Sequence, residues 1–199
     1  MKNAHFIAHR INQLDALREL PRQYGAEIDL RDRGERLILQ HDPFADGEDA
    51  EPFFAEYKHG TLILNIKSER IEHRVHELLR RYDIQDYFFL DSSVPMIVNL
   101  SKAHEKRIAI RYSEFESKET VLNFSGLVDW IWVDCFSKLP LHQAEAELFK
   151  KSGFKLCLVS PELQGRPDDI LPYKKQMAVE EIEVDAICTK LYNIDAWRK

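Results

Sequence analysis

The sequence predicts an α/β fold in which eight parallel strands alternate with helices, a compact (β/α)8 TIM barrel. Three observations point there. Apolar runs of strand length alternate with stretches of helical period from one end of the chain to the other. There are eight such runs, the number that closes a parallel sheet on itself. Each run is nearly continuous in Ile, Val, Leu and Phe, as strands covered on both faces should be. At 199 residues the chain is most simply one domain, 1–199. Typical barrels of this kind run to about 250 residues, so helices and loops must be trimmed and little is left for a lid. A doubly wound open sheet is the alternative, weakened because no Gly-rich phosphate loop follows the first strand.

The strands are expected over 5–9, 26–31, 61–67, 86–91, 107–112, 128–135, 155–160 and 184–189. Gly25 reads as the stop of a preceding helix, and the turn at Asp32-Arg33-Gly34 introduces an extra short strand over 35–41. Residues 46–51 read as a solvated acidic loop near His41. In the helix over 69–82, Ile71, Val75, Leu78 and Leu79 form the apolar stripe, with Glu72, Arg74, Glu77 and Arg80 off it. A helix over 141–152 carries Ala144, Leu148 and Phe149 on its stripe and stops at Gly153. Trp130 and Trp132 are explained by packing against helices, and Trp197 by closing the barrel bottom.

A net charge of −6 argues against nonspecific nucleic-acid binding. No apolar run reaches the roughly 18 residues of a membrane span, and the N-terminus lacks a signal-peptide core. Cys135, Cys157 and Cys188 are odd in number and lie in apolar stretches, so buried free thiols of a reducing cytoplasm are expected. No Cys/His spacing suggests zinc.

Charged residues mark the strand ends, where a barrel gathers its active site. His9 and Arg10 close the first strand, and Glu27 and Asp29, two apart, share one face of the second. Carboxylates so close repel unless a cation sits between them, and hard oxygen ligands suit Mg²⁺ or Ca²⁺. His41 ends the extra strand, and two histidines beside such a pair can move protons near neutral pH. Asn65 and Lys67, then Asp91, Arg111, Asp134, Ser160 with Glu162, and Thr189 with Lys190 end the later strands. Lys67, Arg111 and Lys190 could line a cationic pocket for a phosphate. For Arg111 the competing reading is an ion pair with Asp91 or Asp134. His5, His59, His73, His76, His104 and His142 read as solvated and carry no role.

These residues resemble a known family. Ile7-Ala8-His9-Arg10, Tyr24-Gly25-Ala26-Glu27-Ile28-Asp29-Leu30, Leu39-Gln40-His41-Asp42-Pro43, Leu64-Asn65-Ile66-Lys67 and Val184-Asp185-Ala186-Ile187-Cys188-Thr189-Lys190 are similar, in order and spacing, to the glycerophosphodiester phosphodiesterases among the phospholipase-C-like barrels. The match is specific at the front and weak through 90–180. The resemblance implies His9 and His41 as general acid and base, Glu27 and Asp29 as ligands of a divalent cation, and Lys67 on the phosphoryl oxygens. Arg10, Arg111 and Lys190 are further candidates for binding the phosphate.

The departures from the family are specific. Ile11 replaces a glycine after His-Arg, and Asn12, Gln13 and Leu14 stand in a shortened loop. Asn65 replaces the third acidic ligand and offers a neutral oxygen; Asp91 could compensate. Lys190 replaces an aspartate. The expected activity is metal-dependent hydrolysis of a small, water-soluble phosphodiester by a monomer or homodimer. The alternatives are a lyase that stops at a cyclic phosphate and a silent barrel that binds a phosphorylated ligand. Asn65 favours the silent barrel; the intact histidines and Glu-x-Asp favour catalysis. A lipid substrate is disfavoured because no amphipathic or aromatic-rich insertion is present.

Overall fold

The computed structural model describes residues 4–198. They gather into two compact units, Ile7–Asn99 and the chain from Leu100 onwards together with the residues up to Phe6. In chain order the elements of the first half are β1 (His5–Ala8), α1 (Leu14–Glu19), β2 (Gly25–Arg33), β3 (Arg36–Leu39), β4 (Glu48–Asp49), α2 (Ala50–Glu56), β5 (Leu62–Ile66), α3 (Glu72–Arg81) and β6 (Tyr87–Leu90). They continue as α4 (Val94–Lys102), β7 (Ala109–Tyr112), α5 (Lys118–Leu122), β8 (Trp130–Val133), α6 (Gln143–Lys151), β9 (Lys155–Val159), α7 (Ile170–Val179), β10 (Ala186–Thr189) and α8 (Ile194–Arg198). All eight expected strands form.

In the Ile7–Asn99 unit, β2 is the centre. Ile7 and Ala8 of β1 pair in parallel with Gly25 and Ala26, and β5 runs parallel along the other side from Ala26↔Leu62 to Leu30↔Ile66. Beyond the end of β1, β2 continues and folds back through Gly34 (φ 60) onto β3, as the turn residues require. Ile28, Leu30, Leu62, Leu64 and Phe88 are wholly buried, which explains the unbroken apolar runs. Gly25 corrects the expectation. It belongs to β2, and α1 ends earlier, with Leu20 already extended ahead of Pro21. The stretch 46–51 is structured rather than a free loop: Asp46 and Asp49 pair with Arg36, and Glu51 with Arg81. Gly47 lies so close to β3 that a Cβ there would sit 2.3 Å from the Leu39 carbonyl oxygen. Gly47→Ala should therefore cost about 1–3 kcal/mol, read as a lower urea midpoint at unchanged slope.

In α3 the stripe Ile71, Val75, Leu78 and Leu79 is buried as periodicity predicts, but Glu72 is buried with it. His59 and His76 are not simply solvated: a ring nitrogen of His59 meets the Leu20 carbonyl at 2.9 Å, and His76 packs on Phe89 at 4.9 Å.

In the other unit, β7, β8, β9 and β10 lie parallel in that order. His5 N–H donates to the Asp185 carbonyl at 2.9 Å. Trp130 and Trp132 are buried in β8. In α6 the buried positions are Ala146 and Phe149, while Ala144 and Leu148 face outward, so the apolar stripe is rotated from the expected one. Gly153 (φ 91) ends that helix as expected. The Trp197 indole donates to Ser160 Oγ at 2.7 Å, against the residue that follows β9, rather than closing the opposite end. All three cysteines are buried, and none is in a disulfide.

Candidate active site

The site is built on two paired strands. Strand periodicity puts Glu27 and Asp29 on one face of β2, and the register Asp29↔Asn65 puts Asn65 and Lys67 beside them from β5 and its end. Glu27 and Asp29 are both wholly buried. Burial pushes the Glu27 carboxyl above its ordinary range, against hydrogen bonds from Asn65 and Arg10 that pull it down. Burial also raises Asp29, and the neighbouring Glu27 charge raises it further.

Each carboxylate oxygen has a defined neighbour. Asn65 Nδ2 donates to Glu27 Oε1 at 2.8 Å, and the Arg10 backbone N–H donates to Oε2 at 2.7 Å. Arg10 makes that bond from a left-handed conformation (φ 57), an unfavourable geometry for a side-chain-bearing residue. His9, immediately after β1 and 15% exposed, brings Nε2 to 3.8 Å from Glu27 Oε2. Lys67 Nζ lies 3.6 Å from Asp29 Oδ1 and 3.3 Å from Asp91 Oδ2. Asp91 is thus placed to hold the ammonium. The guanidinium of Arg10 lies 3.8 Å from Asp29 Oδ2.

His41 sits at the end of the β2–β3 hairpin. Its Nδ1 is 2.7 Å from Asp42 Oδ1, and Arg31 donates to its carbonyl at 3.1 Å. The bond to His41 holds the Asp42 carboxyl below its ordinary range. With Nδ1 engaged, Nε2 is left for proton exchange. His41 acts on the pair only at a distance, its charge adding a small downward pull on the Asp29 carboxyl, whereas His9 is the histidine in contact with Glu27.

Two features escaped sequence reading. Asn12, in the shortened loop, clamps Asp29 twice: Nδ2 donates to Asp29 Oδ2 and Oδ1 accepts from the Asp29 backbone N–H, both at 2.8 Å. A side chain bonding across strands from a loop has no local pattern to announce it. Phe44, three residues after His41, stands almost fully exposed at φ 64. A cleft of about 530 Å³ opens among Arg10, Asn12, Gln13, Gln40, Asp46 and Glu48.

Arg111 and Lys190 belong to the other unit. There Arg111 pairs with Asp134, the ion-pair alternative that the sequence allowed, and Asp134 also accepts from Gln164 at 2.8 Å and from the Cys135 N–H at 2.9 Å. Glu162 accepts from Ser160, Thr189 and the Lys190 backbone N–H, which ties the ends of β9 and β10 together.

Among the described residues, no group of three or more His, Cys, Asp or Glu is gathered to hold a metal ion. The set offered instead is two carboxylates and one amide. It fits a hard cation on one observation: Asn65 Oδ1 and Asp29 Oδ1 are buried acceptors without a hydrogen bond, the latter 3.6 Å from the Lys67 ammonium.

Comparison with known proteins adds the architecture. No family model matches the chain. No curated protein matches it either. Among solved structures, one from Agrobacterium tumefaciens str. C58, provisionally described as a glycerophosphoryl diester phosphodiesterase, superposes with a TM-score of 0.73 at 13% identity, covering 98% of this chain and 97% of that one. A glycerophosphodiester phosphodiesterase structure from the same organism gives a TM-score of 0.66 at 15% identity, covering 93% and 96%. Likeness at such low identity establishes architecture, and the chain therefore has the α/β, (β/α)8-barrel fold of these two structures.

Proposed function

We propose that this protein is a phosphoric diester hydrolase that cleaves a small, water-soluble phosphodiester of the glycerophosphodiester kind. The observation that carries the reading is the convergence of His9 and Lys67 on the buried pair Glu27 and Asp29, with His41 held by Asp42 at the end of the neighbouring hairpin. The names of the two similar structures support it.

A phosphodiester carries a negative charge that repels nucleophiles, and cationic groups must offset the charge that grows in the transition state. Lys67 stands beside Asp29 for that purpose, with Arg10 as a second cation at the rim. A divalent cation, Mg²⁺ or Ca²⁺, held by Glu27, Asp29 and Asn65 would supply further positive charge at the phosphoryl oxygens. His9 and His41 exchange protons with the attacking and leaving oxygens. Asp42 keeps the His41 ring in one tautomer, which leaves Nε2 to carry the proton. The cleft beside Arg10 mixes amides and charges with the apolar Ala16 and Leu39, and Arg10, Asn12, Gln13 and Gln40 give a hydrophilic alcohol hydrogen-bonding partners there. No helix among the described residues is long and apolar enough to cross a membrane. Three buried cysteines outside any disulfide support a reducing compartment, and we place the enzyme in the cytoplasm.

A silent phosphate-binding barrel is the second reading. It is favoured by one observation, that both Glu27 oxygens already accept protein hydrogen bonds. The test is hydrolysis of bis(p-nitrophenyl) phosphate and a panel of glycerophosphodiesters with Mg²⁺, Ca²⁺, Mn²⁺ or EDTA. Turnover that needs a cation and disappears in Glu27→Ala supports the enzyme. Absence of cleavage under every condition would leave the silent barrel. Accumulation of a cyclic phosphate would identify a lyase.

A further inference from the structure

Asp29 and Asn65 are registered partners on β2 and β5, 0% and 8% exposed, and each keeps its Oδ1 without a hydrogen bond. Buried acceptors are nearly always satisfied, so Asn65 Oδ1, unmet beside an Asp29 Oδ1 that the Lys67 ammonium approaches only to 3.6 Å, asks for a ligand. The other atoms nearby are committed. Asn65 Nδ2 and the Arg10 N–H occupy Glu27, Asn12 occupies Asp29 Oδ2, and Lys67 shares its ammonium between Asp29 and Asp91.

Charge decides how tightly a cation can sit there. Glu27 and Asp29 bring two negative charges, and Lys67 and the Arg10 guanidinium, 3.6 Å and 3.8 Å from Asp29, bring two positive ones. Asn65 adds a dipole and no charge. A divalent cation would therefore enter a site whose carboxylates are already offset. It gains its full attraction only when an anion arrives with it, as Mg²⁺ commonly does beside one or two carboxylates and a phosphate.

We propose that Asn65 makes this a shared seat, in which a divalent cation on Asp29 Oδ1 and Asn65 Oδ1 and a phosphate oxyanion bind together, each weakly alone. The inference rests on the phosphodiester reading of the site and deepens it, because cation and substrate enter as a coupled pair. Such coupling is reciprocal by thermodynamic necessity.

Calorimetric titration tests this without any turnover. Mg²⁺ is titrated into the full chain alone and with saturating glycerol 3-phosphate, and glycerol 3-phosphate is titrated with and without Mg²⁺, free concentrations being corrected for their association in solution. In the native protein each should strengthen the other by about 5–150-fold. Asn65→Asp, which restores a charge, should bind Mg²⁺ alone at least about tenfold tighter and lose most of the coupling. Lys67→Met, which removes an offsetting charge from outside the paired strands, should move cation affinity the same way and serves if Asn65→Asp fails to fold. Tight Mg²⁺ binding indifferent to glycerol 3-phosphate would overturn the proposal. So would no Mg²⁺ binding under either condition, or folded variants that bind no tighter. Coupled binding in a protein that cleaves no diester would reject the reaction and leave the shared seat standing.

Discussion

His9→Ala should lower turnover of a phosphodiester by about 10²–10⁴-fold, the contribution of one well-placed proton-transfer group. The fold should barely notice. β1 is held through Ile7 and Ala8, and Glu27 takes its hydrogen bonds from Arg10 and Asn65, so His9 is not what satisfies the buried carboxylate. The loss of stability should stay near ~1 kcal/mol, measured by thermal unfolding beside the kinetics. His41→Ala should fall by a similar factor. The pair then separates by leaving group. A p-nitrophenolate departs without being protonated, so the variant lacking the general acid should recover much of its rate on bis(p-nitrophenyl) phosphate and none on a glycerophosphodiester. The variant lacking the base should be equally poor on both. If neither substitution slows an active protein, the histidines are not the proton carriers and the reaction must be assigned to other groups.

What could be read from sequence divides along physical lines. All eight strands were visible because a buried parallel strand must be apolar on both faces, and a run such as Leu62-Ile63-Leu64 has no other economical use. The Glu27–Asp29 face was visible because strand period is two. The helix on 143–151 was visible as a helix, yet its buried stripe was not, because Ala144, Ala146, Leu148 and Phe149 fit two faces equally well and tertiary packing chose Ala146 and Phe149. Gly25 misled for a related reason: a glycine after a helix suggests a left-handed stop, but Pro21 had already ended the helix.

The polar network was the least readable part. Nothing in the local pattern says that Asn12 will reach across to Asp29, that Arg10 will adopt a left-handed conformation to aim its N–H at Glu27, or that Asp91 will take the Lys67 ammonium. These bonds join residues up to 24 positions apart, and only the assembled strands create them. The sequence does contain the fact that matters most for the cation, a neutral residue at 65, but its consequence depends on two buried oxygens without hydrogen bonds that only register and burial reveal.

Glu27→Gln should make the cation-free protein more stable while cutting turnover by at least about 10²-fold. Glu27 is wholly buried and its carboxyl is pushed up by desolvation, so ionising it costs the native state more than the unfolded chain. Between the ordinary carboxylate range and the raised native value, the native protein holds a proton that the unfolded chain has lost, and stability falls as pH rises across that window. Below the window both states are protonated and the penalty vanishes. Glutamine is neutral throughout. It can accept from the Arg10 N–H, and a turn of the Asn65 amide would let the orphaned Oδ1 accept from the new side-chain N–H. The variant should therefore match the native protein in acid and exceed it by roughly 1–3 kcal/mol near neutrality, measured as urea midpoints across pH in EDTA. Saturating Mg²⁺ with glycerol 3-phosphate should narrow the gap, because ligands that bind the native site stabilise it by mass action. A variant that gains stability as it loses activity identifies a carboxylate kept for chemistry. One that loses stability in EDTA would instead make Glu27 a structural acceptor for Arg10 and Asn65, and the case for a cation at this pair would fall with it.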